Sequence, residues 1–140
     1  MIEYVLDTNT VSQLMRDQPH PHLERRLARV WQACALPAPV VDELQYGVSR
    51  IDSAARRAVY QEWLERLLKD IAVIPLDSMC AQWHGRERSR LARKGRPPPL
   101  FDGLIASIAV VNELTLVTHN TADFELFDGI VLENWLKDMQ

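Results

Sequence analysis

The sequence predicts an α/β fold, a three-layer sandwich in which helices flank a mostly parallel central sheet of about five strands. Two observations support this fold class. Short β-rich runs alternate with helical runs along the chain, and the helical runs are long enough to cross over the sheet and begin a parallel strand. The β-rich runs span residues 2–6, 34–38, 71–75, 115–118 and 129–132. The helical runs span residues 9–17, 21–33, 40–50, 53–69, 77–94 and 102–112.

The strands are predicted from short apolar runs, which in chain order are IEYVL, CALPA, IAVIP, TLVT and GIVL. Runs of this length, bounded by turn residues, are typical of strands in a buried sheet. Prolines mark the joins between elements, where a fixed φ and a missing N–H donor are tolerated. These prolines are Pro19, Pro21, Pro37, Pro39, Pro75, Pro97, Pro98 and Pro99.

The later helices are predicted from the spacing of their apolar residues. In residues 40–50, Val40, Leu44 and Val48 recur at helical spacing and define one apolar face. The segment 102–112 is apolar nearly all round, which indicates a helix buried between layers. In residues 53–69 a broad apolar stripe favours core packing, with a groove for a partner as the alternative. The stripe comprises Ala55, Val59, Tyr60, Trp63, Leu64, Leu67 and Leu68.

Composition places the chain among globular proteins of one domain, residues 1–140, with 47% hydrophobic residues and a formal charge of −3. No apolar run reaches the roughly 18 residues of a membrane span, and no secretory leader is visible, so we expect a cytoplasmic protein without a membrane segment. Cys34 and Cys80 lack metal-site spacing and are expected to be buried, reduced thiols.

Four acidic residues fall where a ligand crevice is expected. Asp7 directly follows the first strand, Glu43 lies within about a turn after the second, and Asp123 lies a few residues past the fourth. In parallel α/β sheets, ligands bind outside the carboxyl ends of the strands. Asp102 begins the buried helix 102–112, which could pack at the same edge.

Each of these acids also has a structural alternative. Asp7, or Thr8 beside it, could cap the helix that follows, and Asp102 could cap its own helix. Asn120 and Asp123 have the spacing of a capping box. At 100° per residue, Glu43 flanks the apolar face of its helix while Asp42 points to the opposite side, so Glu43 is the acid able to reach the crevice.

Convergence of four carboxylates favours a bound cation. Without one, mutual repulsion would force some of them to take up protons at neutral pH. Oxygen ligands without clustered Cys or His suit Mg²⁺, with Mn²⁺ as a substitute. Such an ion lowers the pKa of a bound water and could serve phosphodiester hydrolysis, with one or two ions.

Four stretches resemble the PIN-domain family and, within it, the VapC-type toxin ribonucleases of bacterial toxin–antitoxin pairs. They are VLDTNTVSQL, VVDELQYGV, FDGLIASIA and LVTHNTADF, and together they span nearly the whole chain. The resemblance implies a Mg²⁺-dependent endoribonuclease that is a homodimer and is inhibited by a cognate antitoxin. It carries the acidic set over to Asp7, Glu43, Asp102 and Asp123. It also implies a polar helper at Asn9 or Thr8, and another at Asn120.

The chain departs from the family pattern at two positions. His119 stands where such toxins usually have arginine, and Asp42 adds an acid beside Glu43. His119 could contact a phosphate, although a local hydrogen bond is the simpler interpretation. These departures leave the acidic set intact and bear on how the substrate is bound.

A basic segment could bind RNA phosphates despite the negative net charge of the chain. It contains Arg86, Arg88, Arg90, Arg93, Lys94 and Arg96. From it we predict Arg86, Arg90 and Arg93 as RNA-binding residues, with a solvated helix face as the alternative.

Two other functions are compatible with parts of the sequence. A haloacid-dehalogenase-like phosphohydrolase is suggested by D-x-N-x-V at residues 7–11, but Asn9 stands where that class needs a proton-donating Asp. A non-catalytic PIN-like binding module would be expected to have lost one of the acids, and this chain keeps all four.

Overall fold

The structure, a computed structural model, describes residues 1–136. Its strands are β1 (Tyr4–Leu6), β2 (Cys34–Pro37), β3 (Ala72–Ile74), β4 (Thr115–Val117) and β5 (Leu132–Glu133). Its α-helices are α1 (Thr8–Ser12), α2 (Pro21–Val30), α3 (Ala38–Ser49), α4 (Ala54–Asp70), α5 (Ser78–Arg93), α6 (Leu100–Val111) and α7 (Thr121–Phe124). Short 3-10 turns, Gln13–Met15 and Trp31–Ala33, continue α1 and α2.

The five strands form one parallel sheet in the order β3-β2-β1-β4-β5. The first strand is central: Val5 is in register with Ala35 of β2 on one side and with Leu116 of β4 on the other. This confirms the predicted α/β fold class. The carboxyl ends of β1, β2 and β4 therefore lie side by side at one edge of the sheet.

Buried apolar residues of the strands pack against buried apolar residues of the helices and form the core. Val5, Leu36 and Leu116 are completely buried, as are Ala106 and Ile108 on α6. Leu100 and Phe101 precede the buried stretch of α6 and are more accessible. The all-round apolar character of this helix thus predicted its burial correctly, and Cys34 and Cys80 are buried free thiols as expected.

The apolar stripe on α4 is divided between two environments. Leu64 and Leu67 are buried in the core, whereas Val59, nearer the start of the helix, is 64% exposed. Core packing therefore accounts for the second half of the stripe and leaves the first half available at the surface.

Several boundaries differ from the predictions for local reasons. The fifth strand begins at Leu132 because Gly129, with φ of +79°, forms the preceding turn, and sheet pairing starts where Leu116 N–H donates to the Val131 carbonyl. The first helix stops well before residue 17, because the backbone tightens into a 3-10 turn and becomes extended at Arg16.

Helix α7 was not predicted, since four residues are too few to show a helical period. No helix within residues 1–136 is long and apolar enough to cross a membrane.

Candidate active site

A polar cleft of about 160 Å³ opens at the carboxyl edge of the central strands. The residues that line it are Asp7, Thr8, Asn9, Glu43, Asp102, Ile105, Asn120, Asp123 and Phe124. The four predicted acids and both predicted polar helpers are therefore brought together in one place. Four different segments of the chain supply these side chains, so only the folded sheet assembles the cleft.

Asp7 is the most buried of the four acids, with 4% of its surface exposed. Its Oδ1 accepts a hydrogen bond from the Thr10 backbone N–H at 2.8 Å, so it does cap α1. Its Oδ2 accepts from the Thr118 hydroxyl at 2.5 Å, which ties the acid to the end of β4. The capping role and the cleft position thus coexist in one carboxylate, because the cap uses only one of its two oxygens.

Thr118 is a residue of this cleft region that sequence reasoning missed. It is completely buried, and besides donating to Asp7 its Oγ1 accepts from the Asn120 backbone N–H at 3.0 Å. The signal in the sequence was a polar residue directly after a buried strand, within the quoted stretch LVTHNTADF.

Glu43 lies on the second turn of α3, at the edge of that helix's apolar face. Its Oε1 accepts from the Thr8 hydroxyl at 2.5 Å, a contact that joins α3 to the start of α1. Asp42 is exposed, as the angular argument predicted. Thr8 therefore orients a neighbouring acid, and Asp7 is the residue that caps the helix.

Asp102 and Asp123 do not play the capping roles considered for them. Pro99 occupies the N-cap position of α6 and Asp102 lies inside the first turn, so the cap interpretation is wrong for Asp102. Asn120 holds the N-cap position of α7 but its side chain makes no capping hydrogen bond, so the capping-box interpretation is also wrong. The Asp123 N–H instead donates to the Asn120 carbonyl at 3.0 Å.

Burial and the closeness of four carboxyl groups oppose ionisation of the acids in the cleft. Burial first, and then the nearby carboxylates of Asp123, Glu43 and Asp7, together raise the pKa of the Asp102 carboxyl to about 6. This is the electrostatic signature of acids whose mutual repulsion no positively charged side chain within residues 1–136 relieves.

The donor set suits a hard divalent cation in its chemistry. Four carboxylates with two amide side chains offer only oxygen ligands of the kind that Mg²⁺ and Mn²⁺ prefer. Within residues 1–136, however, no three Asp, Glu, His or Cys side chains are already arranged so that they could hold an ion together. Mg²⁺ is commonly held by one or two carboxylates and several waters, so the residues present fit such an ion without a complete protein cage.

The predicted RNA-binding arginines lie apart from the acidic cleft. Arg86 and Arg93 on α5, with Ser89, Arg90 and Lys94, line a separate groove of about 490 Å³. Arg90, however, donates to both carboxylate oxygens of Glu87 and to the Leu126 carbonyl at 2.9 Å. Arg90 therefore ties α5 to the turn after α7, while Arg86 and Arg93 are exposed.

A larger groove of about 560 Å³ adjoins the acidic cleft between α1, α3 and α4. It shares Thr8 and Glu43 with that cleft. The remaining lining residues are Ser12, Met15, Arg16, Asp17, Leu44, Gly47, Val48 and Tyr60.

Known proteins resemble this chain in sequence over almost its whole length. The PIN domain family model matches residues 4–130. Ribonuclease VapC2 of Rickettsia felis is 32% identical over 135 residues, which cover 96% of this chain and 98% of that protein. The tRNA(fMet)-specific endonuclease VapC of Salmonella typhimurium is 32% identical over 136 residues, covering 96% and 99% of the two chains.

Solved structures agree with this sequence similarity. VapBC2 from Rickettsia felis, bound to a DNA fragment from its promoter, gives a TM-score of 0.85 at 31% identity. DNA-bound VapBC from Salmonella typhimurium gives 0.88 at 29% identity. Each match covers 96% of this chain and 99% of the other. The chain thus belongs to the PIN-domain family and, within it, to the VapC-type ribonucleases.

Proposed function

We propose that this protein is a divalent-metal-dependent endoribonuclease that hydrolyses RNA phosphodiesters, with Mg²⁺ as its ion and Mn²⁺ as a substitute. The observation that carries the proposal is the juxtaposition of Asp7, Glu43, Asp102 and Asp123 in one cleft at the sheet edge. Membership of the VapC-type ribonucleases supports the choice of RNA as substrate. A bound divalent cation would supply the positive charge that lets these carboxylates stay ionised together and that polarises a phosphoryl oxygen.

The hydrogen bonds that fix the side chains of the cleft suggest a different role for each of them. Asp7, fixed by Thr10 and Thr118, is the central ligand in this proposal, and Asp102, Glu43 and Asp123 complete the acidic set. Glu43 is oriented by the Thr8 hydroxyl. Asn9 and Asn120 carry amides, which cannot act as acids at neutral pH but can orient a water or a phosphate oxygen.

The pKa of Asp102 gives this residue a further role. A carboxyl with a pKa of about 6 in the free cleft exchanges its proton close to neutral pH. It can therefore release that proton when positive charge arrives and hold it when the cleft is empty of cations.

The proposal includes a cognate antitoxin. Relatives occur in solved VapBC complexes, and one such complex from Mycobacterium tuberculosis is described as a member of a toxin–antitoxin family. We assign the antitoxin segment to the groove between α1, α3 and α4, because that groove is lined partly by apolar residues and runs into the acidic cleft. A segment bound there would block the cleft. A homodimer and a cytoplasmic location complete the proposal.

The test is to titrate the purified protein with Mg²⁺ and Mn²⁺ in the presence of a total RNA pool and to sequence the RNA ends produced. We expect discrete cuts that disappear with a chelator. The matched variant is Asp7→Asn, in which the remaining oxygen still caps α1 but the charge is lost, and we expect cleavage to fall by more than about 100-fold with the melting temperature preserved.

Other outcomes would favour the alternatives. Undiminished cleavage by folded Asp7→Asn protein would refute the assignment of the site. Phosphate release from small monoesters without RNA cleavage would favour a phosphohydrolase, and RNA binding without any cleavage would favour a binding module.

A further inference from the structure

A very close contact joins α5 to the start of α6, directly beside the acidic cleft. Gly103, the residue after Asp102, lies against the ring of His84 on α5. A Cβ built on Gly103 would be 2.5 Å from His84 Nε2 and 2.7 Å from its Cδ2. Real side chains do not approach so closely, so only glycine fits there with His84 in its present position.

The ring of His84 acts at this contact through its shape. His84 is 5% exposed, and its Nε2 has no hydrogen-bond partner among residues 1–136. Burial, with a smaller contribution from Arg88, lowers the pKa of His84, which keeps the ring uncharged at neutral pH. The buried His84 ring, whose Nε2 faces Gly103 without a hydrogen-bond partner among the described residues, serves as a flat spacer between α5 and α6.

The position of Gly103 makes this spacer relevant to the cleft. Gly103 and Asp102 are consecutive residues in the first turn of α6, so a displacement of one backbone unit moves the other. The rest of α6 is fixed by completely buried residues such as Ala106 and Ile108. The segment before the helix, around Pro97 and Pro99, is exposed and can yield. Any added bulk at residue 103 would therefore displace the end of α6 that carries Asp102.

We propose that the contact between Gly103 and His84 is a positioning device that sets how far the Asp102 carboxylate reaches toward Asp7, Glu43 and Asp123. The proposal rests on the proposed metal-dependent function of that cleft. Gly103 and His84 are positioning residues in this scheme, since neither lines the cleft.

The experiment measures Mn²⁺ binding by calorimetry to metal-free wild-type protein and to three variants: Gly103→Ala, His84→Ala and the double variant. Gly103→Ala is expected to bind Mn²⁺ about 10-fold more weakly, because the new methyl group displaces Asp102. In the double variant the smaller side chain at residue 84 makes room for that methyl group, and most of the affinity should return. At saturating Mn²⁺, kcat for RNA cleavage should follow the same order while KM for RNA stays unchanged.

Gly85→Ala is the matched control. Gly85 is adjacent to His84 on α5, and a Cβ there would meet nothing within 4 Å. Alanine in place of a helical glycine normally adds stability, so Gly85→Ala should bind Mn²⁺ like the wild type and melt slightly higher.

Three results would overturn the inference. One is a folded Gly103→Ala protein with wild-type affinity for Mn²⁺, and another is a double variant as weak as Gly103→Ala. If Gly103→Ala does not fold, the comparison becomes His84→Ala against the double variant, and weaker binding by the double variant refutes the spacer. Absence of Mn²⁺ binding by the wild type would instead refute the metal site itself, and the positioning role would fall with it.

Discussion

Two acidic residues on neighbouring helices show how the same chemical group can serve opposite purposes. Glu87 on α5 is 6% exposed, and its carboxylate accepts from Arg90 and from the Asp128 backbone N–H at 2.8 Å. These donors, the arginine first, hold the pKa of Glu87 below its ordinary value. Asp102 on α6 is partly buried among other carboxylates, and the pKa of that carboxyl rises to about 6.

The protein supplies donors that stabilise the negative charge of Glu87, whereas burial and neighbouring carboxylates oppose the negative charge of Asp102. Ionised Glu87 stabilises the protein because its partners are supplied by the chain itself. Ionised Asp102 destabilises the metal-free protein, because burial and three like charges oppose it. A carboxylate that lies in a cleft where its negative charge is unfavourable indicates a binding function. A carboxylate paired with donors of the protein itself indicates a structural role.

Substitution of Asp102 by Asn should give the largest effect and should move activity and stability in opposite directions. RNA cleavage is expected to fall by more than about 100-fold, because a charged member of the cleft is lost. The folded state holds the Asp102 proton more tightly than the unfolded state does, so ionisation costs stability as pH rises through about 6. At pH 7, Asp102→Asn should therefore raise the free energy of unfolding of metal-free protein by about 1 kcal/mol after solvent screening.

Thermal melts with and without Mn²⁺ check this prediction. The wild type should gain several degrees with Mn²⁺ while Asp102→Asn gains little, since the ion binds the folded cleft more tightly than the unfolded chain. If Asp102→Asn protein is less stable than the wild type at pH 7 without metal, the claim that ionised Asp102 destabilises the metal-free protein is wrong.

Substitution of Glu87 by Ala should have the reverse outcome. It leaves Arg90 and the Asp128 N–H without their carboxylate, and we expect a loss of about 1–2 kcal/mol in stability at pH 7. A lowered pKa means that this stabilisation is present above the ordinary value of 4.5 and is lost as pH falls through the folded pKa. Denaturant unfolding at pH 7 and near pH 3 should show the difference from wild type shrinking in acid, with cleavage per folded molecule unchanged at pH 7. A difference that stays constant with pH would assign the loss to packing.

The fold was predictable because its signals are local and repeated. Alternation of short apolar runs with helical runs predicts a parallel layered sheet, and the all-round apolar character of residues 102–112 predicts that this helix is buried. Boundaries were harder, since they depend on single residues such as Gly129, whose positive φ moves the start of the last strand. A four-residue helix such as α7 has no periodicity to detect.

The acids that line the cleft were predictable from the sequence, but the side chains that hydrogen-bond to those acids were not. Acids that follow parallel strands must share an edge, so Asp7, Glu43 and Asp123 could be grouped from strand order alone. Thr118 was not predicted, and Thr8 was predicted only as a polar helper or a helix cap, because a threonine near an acid gives no sign in the sequence of which carboxylate it will reach. Arg90 was grouped with its neighbours by charge, although tertiary contact with Leu126 sets it apart. Such contacts join residues far apart in the chain, and composition cannot reveal them.

Removal of two surface arginines should give the smallest effect, limited to RNA binding. Arg86 and Arg93 are exposed on α5 and line the basic groove, whereas Arg90 is engaged by Glu87. Arg86→Gln with Arg93→Gln should weaken RNA binding several-fold and reduce the slope of log Kd against log salt by about 1 to 2, the value for one or two lost phosphate contacts. Binding is measured in cleavage-deficient Asp7→Asn protein so that the RNA remains intact.

The matched control removes two exposed positive charges from another helix, Arg66 and Lys69 on α4. The paired change to Gln alters net charge by the same amount, so a slope that falls equally in both double variants would show a general charge effect and no localised RNA surface. Arg90→Gln should differ from both, because it breaks the contacts with Glu87 and Leu126 and should lower the melting temperature. If Arg90→Gln protein instead keeps its melting temperature and has a smaller salt slope, Arg90 belongs with the RNA-binding residues. The contrast between Arg90, which is bound by Glu87, and the exposed arginines of α5 would then be wrong.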